Sequence, residues 1–192
     1  VFPNAINQSV FYHMDKKEAR EKLGFSQDAF IVAFVGYFID RKGTLRVSEA
    51  LSGLPGVKSI FIGSGEQEPN CDGILFKGRL PHHEIVTYLN AADVFVLPTL
   101  AEGCCNAIVE AMACGLPIIS SDLPFNNDIL NEGNSIRVDP MNVDEIQNAI
   151  NKLWMNKELR TELSKGSLQT AKSLTIQSRA ENILHFMESK GS

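Results

Sequence analysis

The sequence has little of what would tie it to several common classes of protein. Only four cysteines occur in its 192 residues, Cys71, Cys104, Cys105 and Cys114, and no two of them form a C-x-x-C pair. A structural zinc site is thereby excluded on spacing. Cys104 and Cys105 are adjacent, a poor geometry for an ordinary disulfide, so free thiols in a reducing compartment are expected. No apolar run approaches the roughly 18 residues that a membrane-spanning helix needs. Nor does the N-terminus carry the pattern of a secretory signal. Basic residues are not in excess: the net charge is -5, which removes any bulk attraction to nucleic acid or an anionic membrane. An anion bound by this chain must therefore be held by a local cluster. The chain opens with Val rather than Met, and is expected to be a piece of a longer polypeptide.

What is present is an alternation. Short apolar runs at 29–36, 57–63, 73–78, 93–99, 116–122 and 134–140 read as buried strands, several of them closed by glycine. Between them lie helical patterns at 44–54, 81–92 and 106–114, with further helices at 142–156, 157–173 and 176–189. Asp15 with Glu18, and Asn142 with Glu145, have the spacing of capping boxes that open helices. The sum is an α/β chain, a single Rossmann-like doubly wound parallel sheet of about six strands with helices on both faces. Ligands of such folds sit at the carboxyl ends of the strands, so the segments after Gly36, Gly63, Phe76 and Pro98 carry the functional interest.

Familiar nucleotide and nucleophile motifs do not fit there. "GSGEQE" (63–68) lacks the third glycine of a dinucleotide fingerprint, "GYFIDRKGT" (36–44) is not a P-loop, and no G-x-S-x-G elbow occurs. Four histidines make no metal site; His82 and His83 follow Pro81 and are expected to lie solvated at a helix start. Arg41 and Lys42 stand just before a helix, where cations oppose the macrodipole. They read either as a solvated turn balanced by Asp40 or as the cationic part of an anion site.

The stretch "LPTLAEGCCNAIVEAMAC" is more specific. A strand ends, Glu102 and Gly103 make a turn, and a helix begins near Asn106. That helix is apolar all round except for Glu110, and burying an unpaired carboxylate is costly. Side chains on a helix lean toward its N-terminus, so Glu110 can reach back to the crevice that Glu102 enters from the loop. Two carboxylates beside an anion site suit hydroxyl donors, which sugars supply. The alternative is structural, with Glu110 paired to Arg79 or Lys77.

At these residues the chain resembles the C-terminal domain of a retaining glycosyltransferase of family 4, with the GT-B fold. "FPNAIN", "FVGYFIDRKG", "FIGSGE" and "ILFKGRL" resemble successive segments of that domain. "YLNAADVFVLPTLAEGCCNAIVEAMACGLPIISSD" carries two glutamates separated by seven residues in the family's context. The resemblance implies that residues 1–192 are a nucleotide-sugar-binding domain whose acceptor-binding partner domain is absent. It implies a nucleoside diphosphate sugar of UDP or GDP type as donor, with no further cofactor and no metal ligands. The acceptor would be a sugar, a lipid-linked sugar or a polysaccharide, bound through the other domain. By the same resemblance Glu110 accepts from the ribose hydroxyls and Glu102 contacts the donor sugar. Gly103, Cys104, Cys105 and Asn106 hold sugar and distal phosphate, and Lys42 with Arg41 neutralises the diphosphate. Gly36 belongs to the phosphate loop, and Gly78, Arg79 and Leu80 frame the base. Tyr37 stands where the family usually has Arg, and Arg41 is the candidate replacement. The expected setting is surface polysaccharide synthesis in the cytoplasm, at the inner face of the membrane in the intact protein. A fragment of this kind is expected to be inactive as a transferase by itself. A sugar-nucleotide epimerase and a non-catalytic sugar-nucleotide binding module are the alternatives.

Overall fold

The computed structural model describes residues 7–102 and 106–174. Six strands, all parallel, run β1 (Ile31–Val35), β2 (Lys58–Ile62), β3 (Ile74–Gly78), β4 (Val94–Leu97), β5 (Ile118–Ser121) and β6 (Ser135–Val138). They are arranged in the order β3-β2-β1-β4-β5-β6. The chain thus reverses its direction of growth between β1 and β4, which opens a crevice at the carboxyl ends of those two strands. This is the Rossmann-like sheet expected from the alternation.

The helices are α1 (Lys16–Leu23), α2 (Thr44–Ser52), α3 (His82–Ala91), α4 (Asn106–Ala113), α5 (Val143–Met155) and α6 (Lys157–Ser173). Right-handed crossovers put α2 on one face of the sheet and α3 and α4 on the other. α5 packs on α2, α1 on α3, and α6 on α4. Ile31, Val32, Ala33 and Phe34 of β1 and all four residues of β4 are buried, as strands covered on both faces require. β3, at the sheet edge, alternates instead: Leu75 and Lys77 face solvent while Ile74 and Phe76 are half-buried. The helix expected at 176–189 lies outside the described residues.

Both expected capping boxes form only in their first half. Asp15 and Asn142 accept from the backbone N–H groups of Glu18 (3.0 Å) and Glu145 (3.2 Å). Neither glutamate reaches its cap's backbone N–H, although Glu145 Oε1 accepts from the Asn142 side-chain Nδ2 (3.2 Å). Glu18 pairs with Lys22 one turn on, and Glu145 accepts from the backbone N–H of Asp139. An opposite charge at i+4, or a closer unsatisfied N–H, outcompetes the cap's own backbone.

At the amino-terminal end of the sheet, Asp93 ties α1 to β1 and β4. Its Oδ2 accepts from Arg20 Nη2 (2.8 Å) and from the Ile31 N–H (2.7 Å), and its Oδ1 from Lys16 Nζ (2.6 Å). Arg20 is 2 % exposed and also donates to the carbonyls of Ala91 and Gln27. A buried guanidinium with its donors engaged is tolerated; an unpaired one is not.

Candidate functional site

A cavity of about 390 Å³ lies at the switch point, on the carboxyl ends of β1, β2 and β4. Two glycines, Gly36 and Gly63, line its floor, and Gly78 supports them from β3. The Gly36 N–H donates to the Ile62 carbonyl (3.0 Å) and the Gly63 N–H to the Gly78 carbonyl (2.8 Å), so the three strand ends are knitted beyond their last side chains. Gly63 has φ +153°, and a Cβ there would stand 1.8 Å from the Gly36 carbonyl oxygen. No other residue allows this approach.

The loop after β1 turns through a short 3-10 segment at Asp40–Lys42 and lies against the end of β4. Gly43, at φ +79°, makes the turn, and a Cβ on it would meet Pro98 at 2.8 Å. The Leu100 N–H donates to the Arg41 carbonyl (2.8 Å), and Arg41 Nη1 donates to the Ala101 carbonyl (2.9 Å). Between these two loops Lys42 Nζ is ion-paired with Glu102 Oε1, both side chains being largely buried. Thr99 Oγ1 stands 3.1 Å from the same carboxylate oxygen. Tyr37, 65 % exposed, stands at the cavity's rim beside Lys42. Arg79 and Leu80, after β3, close another wall, and Asn106 and Ala107 bring the start of α4 to it.

Glu110 follows one turn into α4. Its side chain is 17 % exposed, and its Oε1 lies 2.9 Å from His82 Nε2 at the first residue of α3. Burial pushes the Glu110 carboxyl above the usual carboxylate range, and the hydrogen bond from His82 pulls against that. Further along the helix, burial and the nearby Glu110 charge push the Cys114 thiol up to about 12. Cys71 and Cys114 are free and buried. Among the described residues no group of three or more His, Cys, Asp or Glu gathers as metal ligands.

The structure therefore gathers Gly36, Lys42, Arg79, Leu80, Glu102 and Asn106 around one cavity. Gly78 and Glu110 do not line it: Gly78 is bonded to the lining Gly63, and Glu110 lies one helical turn beyond the lining Asn106. Arg41 is turned to the Ala101 carbonyl, and its side chain is not part of the cavity wall. Gly103, Cys104 and Cys105 lie outside the described residues. One sequence reading gains a contact and another needs correction. His82 does lie solvated at the start of α3, its side chain 63 % exposed, and it is also the partner of Glu110. Lys77 is not that partner, because it pairs with Glu68 at 2.7 Å, and Arg79 makes no bond to Glu110. Nothing in the sequence marks a contact between residues 28 positions apart on different helices. Thr99 also escaped notice, although its place two residues beyond β4 put it at the carboxyl end where ligands bind.

Known proteins with this pattern are numerous. The family model described as "Glycosyl transferases group 1" matches residues 15–170. The lipopolysaccharide core biosynthesis glycosyltransferase LpsE of Rhizobium meliloti is 31 % identical over 160 residues, 79 % of this chain and 47 % of that protein. The UDP-Gal:alpha-D-GlcNAc-diphosphoundecaprenol alpha-1,3-galactosyltransferase of Escherichia coli is 30 % identical over 177 residues, covering 83 % of this chain and 46 % of that protein. The chain thus spans about half the length of these relatives. In three dimensions it is similar to Anabaena HepE, solved in complex with UDP-glucose. The TM-score is 0.82 at 20 % identity, over 96 % of this chain and 56 % of that one. The family match covers most of the chain, and the chain belongs to the group 1 glycosyl transferases.

Proposed function

We propose that this chain is the donor-binding half of a retaining glycosyltransferase of family 4, which moves a sugar from a nucleoside diphosphate sugar to an acceptor hydroxyl. The observation that carries the reading is the Lys42–Glu102 pair at the switch point, with the start of α4 beside it and Glu110 one turn further in. A cation and a helix N-terminus suit a diphosphate, and carboxylates suit the hydroxyls on either side of it. Glu110 accepts from ribose, Glu102 from the donor sugar, and Gly78, Arg79 and Leu80 frame the base. The complex of HepE with UDP-glucose and the naming of a UDP-galactose enzyme among the relatives support a UDP-sugar over a GDP-sugar.

In the reaction the bond between the anomeric carbon and the diphosphate oxygen breaks, and negative charge gathers on the leaving diphosphate. Lys42 has three N–H donors, so it can keep Glu102 and still meet that charge. The N-terminal end of α4 adds its dipole. Both are preorganised before donor arrives, which is the condition under which electrostatics lowers a barrier. Arg41 contributes to the field from outside the cavity wall. The acceptor, a lipid-linked sugar or a growing surface polysaccharide, is bound by a second domain, and transfer needs both domains. The place of action that goes with such an acceptor is the cytoplasmic face of the membrane. None of the described helices is long and apolar enough to cross a membrane.

Calorimetric titration with UDP, GDP and ADP, and with a sugar conjugate of each, tests the reading. One nucleotide should bind, and Glu110→Gln should weaken it about 10- to 150-fold, the worth of a hydrogen bond to a charged group. Binding of none, or a Glu110→Gln affinity equal to wild type, rejects it. A sugar-nucleotide epimerase would bind the same donor yet change its sugar without any acceptor. Product analysis on a two-domain protein separates the two.

A further inference from the structure

The geometry points to His82 as a positioning residue that fixes the Glu110 carboxylate for a ribose diol. This rests on the donor reading above and adds to it a residue that makes no contact with the ligand. Glu110 is mostly buried, and its hydrogen bond comes from His82 Nε2 at 2.9 Å. That bond uses Oε1 and leaves Oε2 without a bond among the described residues. A carboxylate has about four lone-pair sites, so two O–H donors of a ribose can be accepted without displacing the imidazole.

His82 is held on two sides, although its side chain is 63 % exposed. It is the first residue of α3, with Pro81 as its N-cap, so its backbone direction is set by the helix. Its ring also meets the ring of Phe11 edge-on, with centroids 4.8 Å apart and planes at 65°. Phe11 is 2 % exposed. An imidazole braced on one side by a buried ring and directed on the other at a carboxylate is a support for that carboxylate. Glutamate has three rotatable side-chain bonds; without such a support a half-desolvated carboxylate turns toward water or takes a proton. Among the described residues, the titratable groups that interact with Glu110 are His82 from α3 and the Cys114 thiol just past the end of α4. Among the described residues no charged side chain of α6, β4 or β5 bonds or pairs with it.

The test is the affinity of the chain for UDP and GDP and for their 2′-deoxy counterparts between pH 5 and 8. It is made on wild type, His82→Ala, His82→Gln and Glu110→Gln. For the nucleotide that binds, His82→Ala should lose about fivefold to tenfold in affinity and narrow the preference for the ribose over the 2′-deoxy form. Ribose binding requires ionised Glu110, so it is present above that group's pKa and lost as pH falls through it. Removing His82 removes the influence that lowers this pKa, and the acid limb of binding should move to higher pH. His82→Gln, which keeps an N–H donor, should recover most of the preference. A mere strut between α3 and α4 would instead lower the melting temperature and weaken both nucleotides alike. If His82→Ala leaves the ribose preference and the acid limb at wild-type values while Glu110→Gln erases the preference, the role of His82 is refuted and the donor reading stands. If Glu110→Gln itself leaves the preference intact, the ribose assignment fails, and the role of His82 with it.

Discussion

The Asp93 network makes the sharpest prediction about stability, because its two oxygens do unequal work. Oδ2 serves buried donors, Arg20 Nη2 and the Ile31 N–H, while Oδ1 serves Lys16, whose side chain is 46 % exposed. Asp93→Ala strips the buried guanidinium of its counter-charge and leaves the first N–H of β1 without an acceptor. Breaking a buried pair from one side costs about 3–5 kcal/mol. Asp93→Asn keeps an oxygen that can occupy the Oδ2 position and turns its amide toward Lys16, which swings into solvent. The loss is then the charge alone, about 1–2 kcal/mol. Lys16→Ala removes a partly exposed pair and should cost under about 1 kcal/mol. Urea unfolding followed by far-UV circular dichroism reads all three as shifts of midpoint at constant slope. The order Ala, then Asn, then the Lys16 variant is the test. Asp93→Asn as damaging as Asp93→Ala, or Lys16→Ala costing 3 kcal/mol or more, would refute the division of labour between the two oxygens. Nucleotide affinity at the far end of the sheet should be unchanged in every variant that remains folded.

Three further outcomes are expected. Lys42→Ala should reduce diphosphate affinity at least tenfold and Arg41→Ala less than threefold, since the Arg41 side chain is held at the Ala101 carbonyl, outside the cavity wall; calorimetry with UDP compares them. Gly63→Ala forces a Cβ to 1.8 Å from the Gly36 oxygen, so it should destabilise by about 2–4 kcal/mol and lose nucleotide binding, checked by thermal melting and titration. The Cys114 thiol, pushed from 9.0 up to about 12, ionises in the unfolded chain first. Stability contributed by its protonated form is therefore complete below pH 9 and falls by up to about 1.4 kcal/mol per pH unit above it. Cys114→Ala should flatten that alkaline fall, measured by urea midpoints from pH 8 to 11.

The sheet was legible in the sequence because buried strands leave a signal in their own residues. "AFIVAFVG" is apolar at successive positions since β1 is covered on both faces, and glycine follows where backbones must pass closely. Glu102 and Glu110 were legible for the opposite reason: each is a charge in a stretch otherwise small or apolar. What could not be read were partners. Glu110 announces that it needs one, but His82, Arg79 and Lys77 all lie in the same preceding segment, and only the folded position of the first residue of α3 selects His82. The Asp93 network was opaque in the same way. Arg20 lies in α1 among charged neighbours, and periodicity there does not mark it as buried at 2 % exposure. Arg41 and Lys42 are adjacent in sequence and chemically alike; the turn of the 3-10 segment sends one into the cavity and the other along its rim.

The bonds from Arg41 and Lys42 to residues 99–102 join segments that are far apart along the chain. In consequence the cationic loop and the carboxylate loop behave as one rigid jaw rather than as two independent fingers. Ordering them is done once, when the sheet assembles, and is not repeated at each encounter with a ligand. Substitutions in either loop are then not independent of the other: a change at Pro98 or Thr99 displaces Lys42 as surely as a change beside it, and the two segments must vary together for the site to survive.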